Sequence, residues 1–359
     1  ILTTGDIVKK TREDDFDPER SAFFMAQANG PCRFGQYHKF HRMVLDDLGY
    51  EDVPMVVLDQ TEEFSDHVES FGADFYRMSW DLLVIVDFMQ KMVREIRPYE
   101  VNEGQTDRVY QECLHELAEV AEQKGDYFGK AEEIKDRLKA IPVDRSEDRP
   151  VIGVVGEIYV RSNNFANNFL IRKIENLGGQ VMMPTLQEWL NYISFDRRET
   201  EWEEGNIFGF VKEWIAEFYA RWDESKAAGI FADELSVMPR EAPTSEVIDL
   251  AKPYIHHSVK GEAVLSLGRA VEYAHHGLNG VINVAPFGCM PGAIVNGLLE
   301  QFHEEHDGMP VLKMAFDGQE QASDRIKLSA FVDQARQHKE GRESEGRRTQ
   351  KPAGATSED

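Results

Sequence analysis

The sequence predicts an α/β protein built on parallel sheets with a helical insert, and three observations carry that prediction. Short apolar runs of strand length recur along the chain, most are followed by helical periodicity, and glycine or proline marks the junctions. Strands that alternate with helices pair in parallel through right-handed crossovers, which is a doubly wound arrangement. At 359 residues and 42% hydrophobic composition, the chain has apolar surface enough for two domains.

Taken in order, residues 22–26 (AFFMA) read as a strand, 36–48 as a helix closed by Gly49, and 53–58 (VPMVVL) as a second strand. Two parallel strands make a poor sheet alone. The first domain, residues 1–145, is therefore expected to be incomplete at its N-terminus and to borrow strands from a preceding segment or another chain. Ile1 is not an initiator residue, which fits a processed, truncated or partial chain.

Residues 79–96 form a long helix with apolar positions on more than one face, as expected of a helix buried between elements, and two helices with charged outer faces follow at 107–123 and 130–141. The polar stretch 142–150 (PVDRSEDRP), with a proline at each end, marks the domain boundary.

The second domain, residues 150–335, restarts with a strand at 151–155 (VIGVV), a loop at 156–163, a helix at 164–177 ended by Gly178 and Gly179, and a strand at 180–183. Further strands are expected at 280–285 (GVINVA) and 310–315 (PVLKMA). Between them, residues 200–229 carry Trp202, Phe208, Phe210, Trp214, Phe218, Tyr219 and Trp222. This aromatic helical insert reads as packing or interface more than chemistry. Residues 336–359 lose apolar periodicity and read as a disordered tail.

The 65 acidic residues outnumber 40 basic ones, and the net charge of −25 argues against nucleic acid or an anionic membrane surface as a partner. No apolar run of about 18 residues and no secretory leader is evident, so a cytoplasmic setting is expected. Three cysteines form no disulfide framework, and reduced thiols are expected.

Two of those cysteines occupy equivalent places. Cys32 follows the strand AFFMA and opens a helix, between Gly30 and Pro31 before it and Gly35 after it; Cys289 follows VINVA and opens a helix, after Gly288 and before Pro291 and Gly292. Ligands of open parallel sheets sit at such strand ends, where helix N-termini converge and favour a thiolate. Paired CxxC spacing for structural zinc is absent. A nucleophile needs one thiol and a base, whereas isolated cysteines on separate loops suit an iron–sulfur cluster, although four cysteines are lacking. Cys113, mid-helix in VYQECLHEL, reads as a core residue.

In GEIYVRSNNF (156–165), Glu157, Tyr159, Arg161, Asn163 and Asn164 stand at the same sheet edge. Either they form a polar wall with Arg161 as an anion contact, or Ser162 or Asn163 caps a helix while Glu157 pairs with Arg161. Arg33 either offsets the charge of a thiolate site or is solvated. Asp317 either caps the last helix or lines the cleft. The histidine sets His38/His41, His303/His306, His256/His257 and His275/His276 offer a zinc-dependent hydrolase as a weaker alternative, without an HExxH motif.

The strings NGPCRFGQYHKFHRMVLDDLGYEDVP, GEIYVRSNNFANNFLIRKIENLGG and INVAPFGCMPGAIVNGLL resemble the C-terminal part of large acyl-CoA dehydratase activase-related proteins. That part is related to the D-component of 2-hydroxyacyl-CoA dehydratases, benzoyl-CoA reductases and double-cubane cluster proteins. The resemblance spans roughly residues 1–336. It implies two flavodoxin-like domains, with Cys32 and Cys289 as ligands of a 4Fe–4S or related cluster. It also implies a redox component that takes electrons from an ATP-driven, actin-like activator and passes them to a substrate such as an acyl-CoA thioester, in a homo- or hetero-oligomer. A third cysteine usual in the family has no match here. No GxxxxGK[ST] phosphate loop occurs in the chain, so ATP hydrolysis is expected elsewhere. The alternative is a non-catalytic interaction module that docks through the aromatic insert.

Overall fold

The computed structural model describes residues 2–27, 32–59, 73–319 and 322–349. It is a mixed α/β chain with two parallel sheets. Helix α1 (Leu2–Lys10) precedes strand β1 (Phe23–Gln27), a single 3-10 turn (Arg33–Gln36), helix α2 (Tyr37–Asp47) and strand β2 (Met55–Asp59). β1 and β2 pair in parallel from Phe23 opposite Met55 to Gln27 opposite Asp59, as the apolar runs predict.

Helices α3 (Ala73–Ile96), α4 (Gln105–Glu122) and α5 (Tyr127–Lys139) form a separate layer. Val84, Ile85, Phe88 and Met89 of α3 bury against Cys113 and Leu117 of α4 and Ile134 and Leu138 of α5. Cys113 is fully buried there, as a core residue should be. The same core takes in Ala227, Ala228 and Phe231 from the far end of the aromatic insert, so this packing unit runs across the 142–150 stretch.

Strand β3 (Val151–Gly156) leads into a short helix α6 (Ile158–Ser162), helix α7 (Leu170–Asn176) and strand β4 (Gln180–Met182). Two expectations fail here: 156–163 is largely helical, and the helix expected over 164–177 begins six residues late. Asn168 and Phe169 adopt left-handed φ values of 54° and 57°, which interrupts the helix. The buried Asn167 closes both flanks, donating through Nδ2 to the Val160 carbonyl at 2.9 Å and accepting the Leu170 N–H at 3.0 Å. Local asparagine hydrogen bonding thus competes successfully with the helix ladder.

The insert is two antiparallel helices, α8 (Gln187–Glu203) and α9 (Ile207–Phe231), followed by α10 (Thr244–Ala251) and α11 (Glu262–His275). Strand β5 (Gly280–Pro286), helix α12 (Met290–Glu305), strand β6 (Val311–Phe316) and helix α13 (Ala322–Thr349) complete the described chain. The second sheet has strand order β4-β3-β5-β6, all parallel. Tyr273, Leu267 and Leu299 pack in the core on one side of it, and Ile174, Leu328, Phe331 and Val332 on the other, so helices cover both faces. No helix among the described residues is long and apolar enough to cross a membrane.

α13 continues through residues 336–349, the first part of the expected tail, while 350–359 lie outside the described residues. Leu328, Phe331, Val332 and Ala335 anchor it in the core. Beyond them Arg336 donates to the Leu177 carbonyl at 3.3 Å and Lys339 to the Arg149 carbonyl at 2.9 Å. Polar anchors and good helix formers extend the helix where no apolar pattern announces it.

β3 passes so close to β5 that Gly156, at φ 110°, has no room for a side chain: a Cβ there would lie 2.0 Å from the Val284 carbonyl oxygen. Gly156→Ala is expected to lower stability by about 2–4 kcal/mol, combining backbone strain with overpacking. Urea unfolding checks it; a loss below 0.5 kcal/mol, on the order of a neutral surface change, would contradict this strand contact.

Candidate functional site

The strand order changes direction between β3 and β5, because β3 leads to β4 on one side and β5 leads to β6 on the other. The crevice outside the carboxyl ends of such strands is where ligands of open α/β sheets lie. Glu157 leaves β3 there, and Cys289 follows the end of β5.

Each cysteine ends up as a helix cap. Cys289 precedes α12 and its Sγ accepts the Gly292 N–H at 3.5 Å; Cys32 precedes the 3-10 turn and its Sγ accepts the Phe34 N–H at 3.4 Å. The equivalence seen in sequence is thus repeated in backbone and hydrogen bonding.

The first region closes over this crevice. Arg33 Nη2 donates to the Gly288 carbonyl at 2.8 Å, joining the residue next to Cys32 to the residue before Cys289. Gly288 sits at φ 74°, a conformation that favours glycine, and this orients its carbonyl at the turn. Tyr159 of α6 donates to Asp6 of α1, and Lys9 lies 5.8 Å from the Phe165 ring. Gly35 is half-buried within the 3-10 turn, while Gly30 and Pro31 lie outside the described residues.

Cys32 is exposed at the mouth and Cys289 half-buried. Four acids crowd this place. Desolvation pushes the Cys289 thiol up to about 11, with Glu262, Cys32 and Glu157 adding to the rise against the Gly292 N–H. Desolvation likewise raises Cys32, helped by Glu262 and Glu157 and opposed by the Phe34 N–H and Arg33. Glu262, the first residue of α11, accepts the Ile158 N–H at 2.8 Å and is pushed up to about 8 by burial and then by Glu157. Glu157 accepts the Val160 N–H at 2.8 Å as the cap of α6, and burial raises it too. Tyr37 feels both thiols and Glu157.

Two sequence readings of this edge resolve differently. Glu157 caps α6, and Asn163 instead accepts the Ala166 N–H at 2.9 Å. Arg161 is buried and paired with Glu188 at 3.3 Å, and its charge works against the rise of both Glu157 and Glu262. Asp317 accepts the Gln319 N–H at 2.9 Å in a local turn. Sequence reasoning missed Glu262 and Tyr37. An acid in the first turn of a helix is an ordinary feature, so nothing in the local text of Glu262 announces a site.

Arg161 belongs to a buried ionic chain. Glu188 bridges Arg161 and Arg269, Arg269 also meets Glu272, and Arg269 reaches Glu241 at 2.8 Å, which in turn meets Lys91 of α3 at 2.5 Å. Burial alone would raise Glu241, yet Lys91 and Arg269 hold it at about 2. Asp87 joins this layer by accepting the Leu186 and Gln187 N–H groups at the start of α8.

Several histidines are held by local contacts, and the rings of His256 and His257 lie 4.3 Å apart. His41 bonds Thr3 at 3.1 Å, His303 the Met309 carbonyl at 2.8 Å, His306 Tyr254 at 3.2 Å and His276 the Glu272 carbonyl at 2.9 Å. Among the described residues no group of three or more His, Cys, Asp or Glu is placed to hold a single metal ion. No protein-family model matches the chain, and no curated protein matches it.

Proposed function

We propose that the chain is an iron–sulfur redox component of the 2-hydroxyacyl-CoA dehydratase and benzoyl-CoA reductase type, with Cys32 and Cys289 as thiol ligands of a 4Fe–4S or related cluster. The observation that carries the reading is the meeting of two helix-capping cysteines from separate sheets across one crevice, tied by the Arg33–Gly288 bond. The donor chemistry fits a cationic centre. Burial raises both thiols and both carboxyls there, with the neighbouring acids adding to the rise of the thiols and of Glu262, and a metal centre would relieve that crowding by holding the sulfurs as thiolates. A polynuclear cluster takes ligands from separate walls, which a single ion with all donors at about 2.3 Å does not.

When bound, such a cluster supplies low-potential one-electron transfer. The chain's own residues do the rest. Arg33 fixes the two cysteine loops against each other, and Gly288 keeps the backbone bare beside them. Glu262 holds a proton at neutral pH next to the thiols. Phe287 and Met290, both exposed at the rim, offer apolar contact to an incoming partner or thioester substrate. Electrons would come from an ATP-driven activator.

Reconstitution with iron and sulfide without oxygen is expected to give a brown protein. It should show a sulfide-to-iron charge-transfer band that bleaches with a low-potential reductant. A chain that remains without iron and sulfide would overturn the proposal. A second reading, a non-catalytic interaction module, is favoured by one observation, the apolar face that α9 turns outward. Under it, Cys32→Ala and Cys289→Ala would leave partner binding and complex activity unchanged.

A further inference from the structure

From Ile207 to Trp222 helix α9 is mounted with its polarity reversed, although beyond that Ala227, Ala228 and Phe231 bury in the core in the ordinary way. Toward the protein it turns Glu217, which is buried and pairs with Arg198 of α8, together with the half-buried Arg221, 3.0 Å from Glu217, and the half-buried Glu224. Toward solvent it turns Ile207, Phe208, Val211, Trp214, Ile215, Phe218 and Trp222, between 44% and 83% exposed. A surface helix of a monomer does the opposite, burying its apolar stripe and exposing its charges.

The stripe has a definite spacing. Phe208, Val211, Ile215, Phe218 and Trp222 follow one another at intervals of three, four, three and four residues, the seam of a coiled coil, and Ile207 and Trp214 widen it. With Trp202 at the end of α8, 63% exposed, the patch amounts to roughly 1,000 Å² at about 150–250 Å² for a large side chain. Monomers rarely show contiguous apolar patches above about 600 Å².

We infer that this face of α9 is the interface of a two-fold homodimer in which α9 packs antiparallel against its copy. The pattern is complementary to itself. A two-fold axis beside Ile215 sets Phe208 against the copy's Trp222 and Val211 against the copy's Phe218, with Ile215 and Trp214 at the centre. An isologous contact requires this kind of self-matching. Two such faces would bury roughly 2,000 Å², above the roughly 1,600 Å² of a standard stable interface. The net charge of −25 also weighs against an anionic membrane as the occupant, while it lets an uncharged stripe join two like-charged copies. The site residues lie on other elements, so this inference is independent of the cluster.

The test is the solution mass of the full chain by sedimentation equilibrium, with Phe208→Glu/Trp222→Glu and Ile215→Cys variants. The wild type is expected to run as two chains, more tightly as salt rises, because screening relieves like-charge repulsion. The double variant should run as one chain with unchanged helix content and melting. Ile215→Cys should cross-link to its copy under mild oxidation while the wild type does not. A monomeric wild type overturns the inference, including one that instead floats with phosphatidylcholine vesicles. So does a double variant that folds and stays dimeric, or a dimer that Ile215→Cys fails to cross-link.

Discussion

Replacing Arg269 with methionine is expected to cost about 3–5 kcal/mol of stability, read as a lower urea midpoint at an unchanged slope. The expectation follows from what the guanidinium holds. Arg269 is 2% exposed and binds Glu188, Glu241 and Glu272 at once, and these carboxylates hold its charge in place against burial. Methionine keeps much of the volume but leaves Glu272 without its partner, while Glu188 keeps only Arg161 and Glu241 only Lys91. Removing one member of a buried ionic set costs more than the set contributes, because the remainder stay desolvated.

The loss should shrink as pH falls toward about 5, since an orphaned carboxylate with a raised pKa regains its proton there. A loss under about 1 kcal/mol, or one that does not vary with pH, would mean that water reaches this network.

Glu262→Gln is expected to do the reverse. It should stabilise the iron-free protein above neutral pH. An acid whose folded pKa is raised from 4.5 to about 8 costs nothing while both states are protonated. It draws stability down as pH rises through that window, because the unfolded chain ionises first. At about 1.4 kcal/mol per unit, the full cost above pH 8 is several kcal/mol. Glutamine removes the charge and keeps an oxygen to accept the Ile158 N–H. The two proteins should therefore match near pH 4 and diverge up to pH 8, with the variant melting higher. Parallel stability curves would show that Glu262 is ionised in the folded state at neutral pH.

These two residues also show what the sequence leaves unreadable. Strands were legible because VIGVV and GVINVA are mostly apolar runs, the second broken only by Asn283, with Gly and Pro at their ends, and they fall within a residue of β3 and β5. The equivalence of Cys32 and Cys289 was legible for the same reason, since both follow such runs. Arg161, Glu188, Glu241 and Arg269 carry no local mark of burial. Their partners come from four different elements, and only packing brings them together. The break at Asn168 and Phe169 depends on hydrogen bonds made by Asn167, which helical periodicity does not register. α13 ran past its apolar pattern because Arg336 and Lys339 found carbonyls on neighbouring elements.

The central claim is that Cys32 and Cys289 serve one cluster. Its most direct test is the iron and acid-labile sulfide content of wild type, Cys32→Ala and Cys289→Ala, each reconstituted without oxygen, with Cys113→Ala as the core control. Wild type and Cys113→Ala are expected to hold about four irons per cluster. Cys32→Ala and Cys289→Ala should each lose both iron and sulfide at unchanged helix content. Full iron and sulfide in either Cys32→Ala or Cys289→Ala would contradict it.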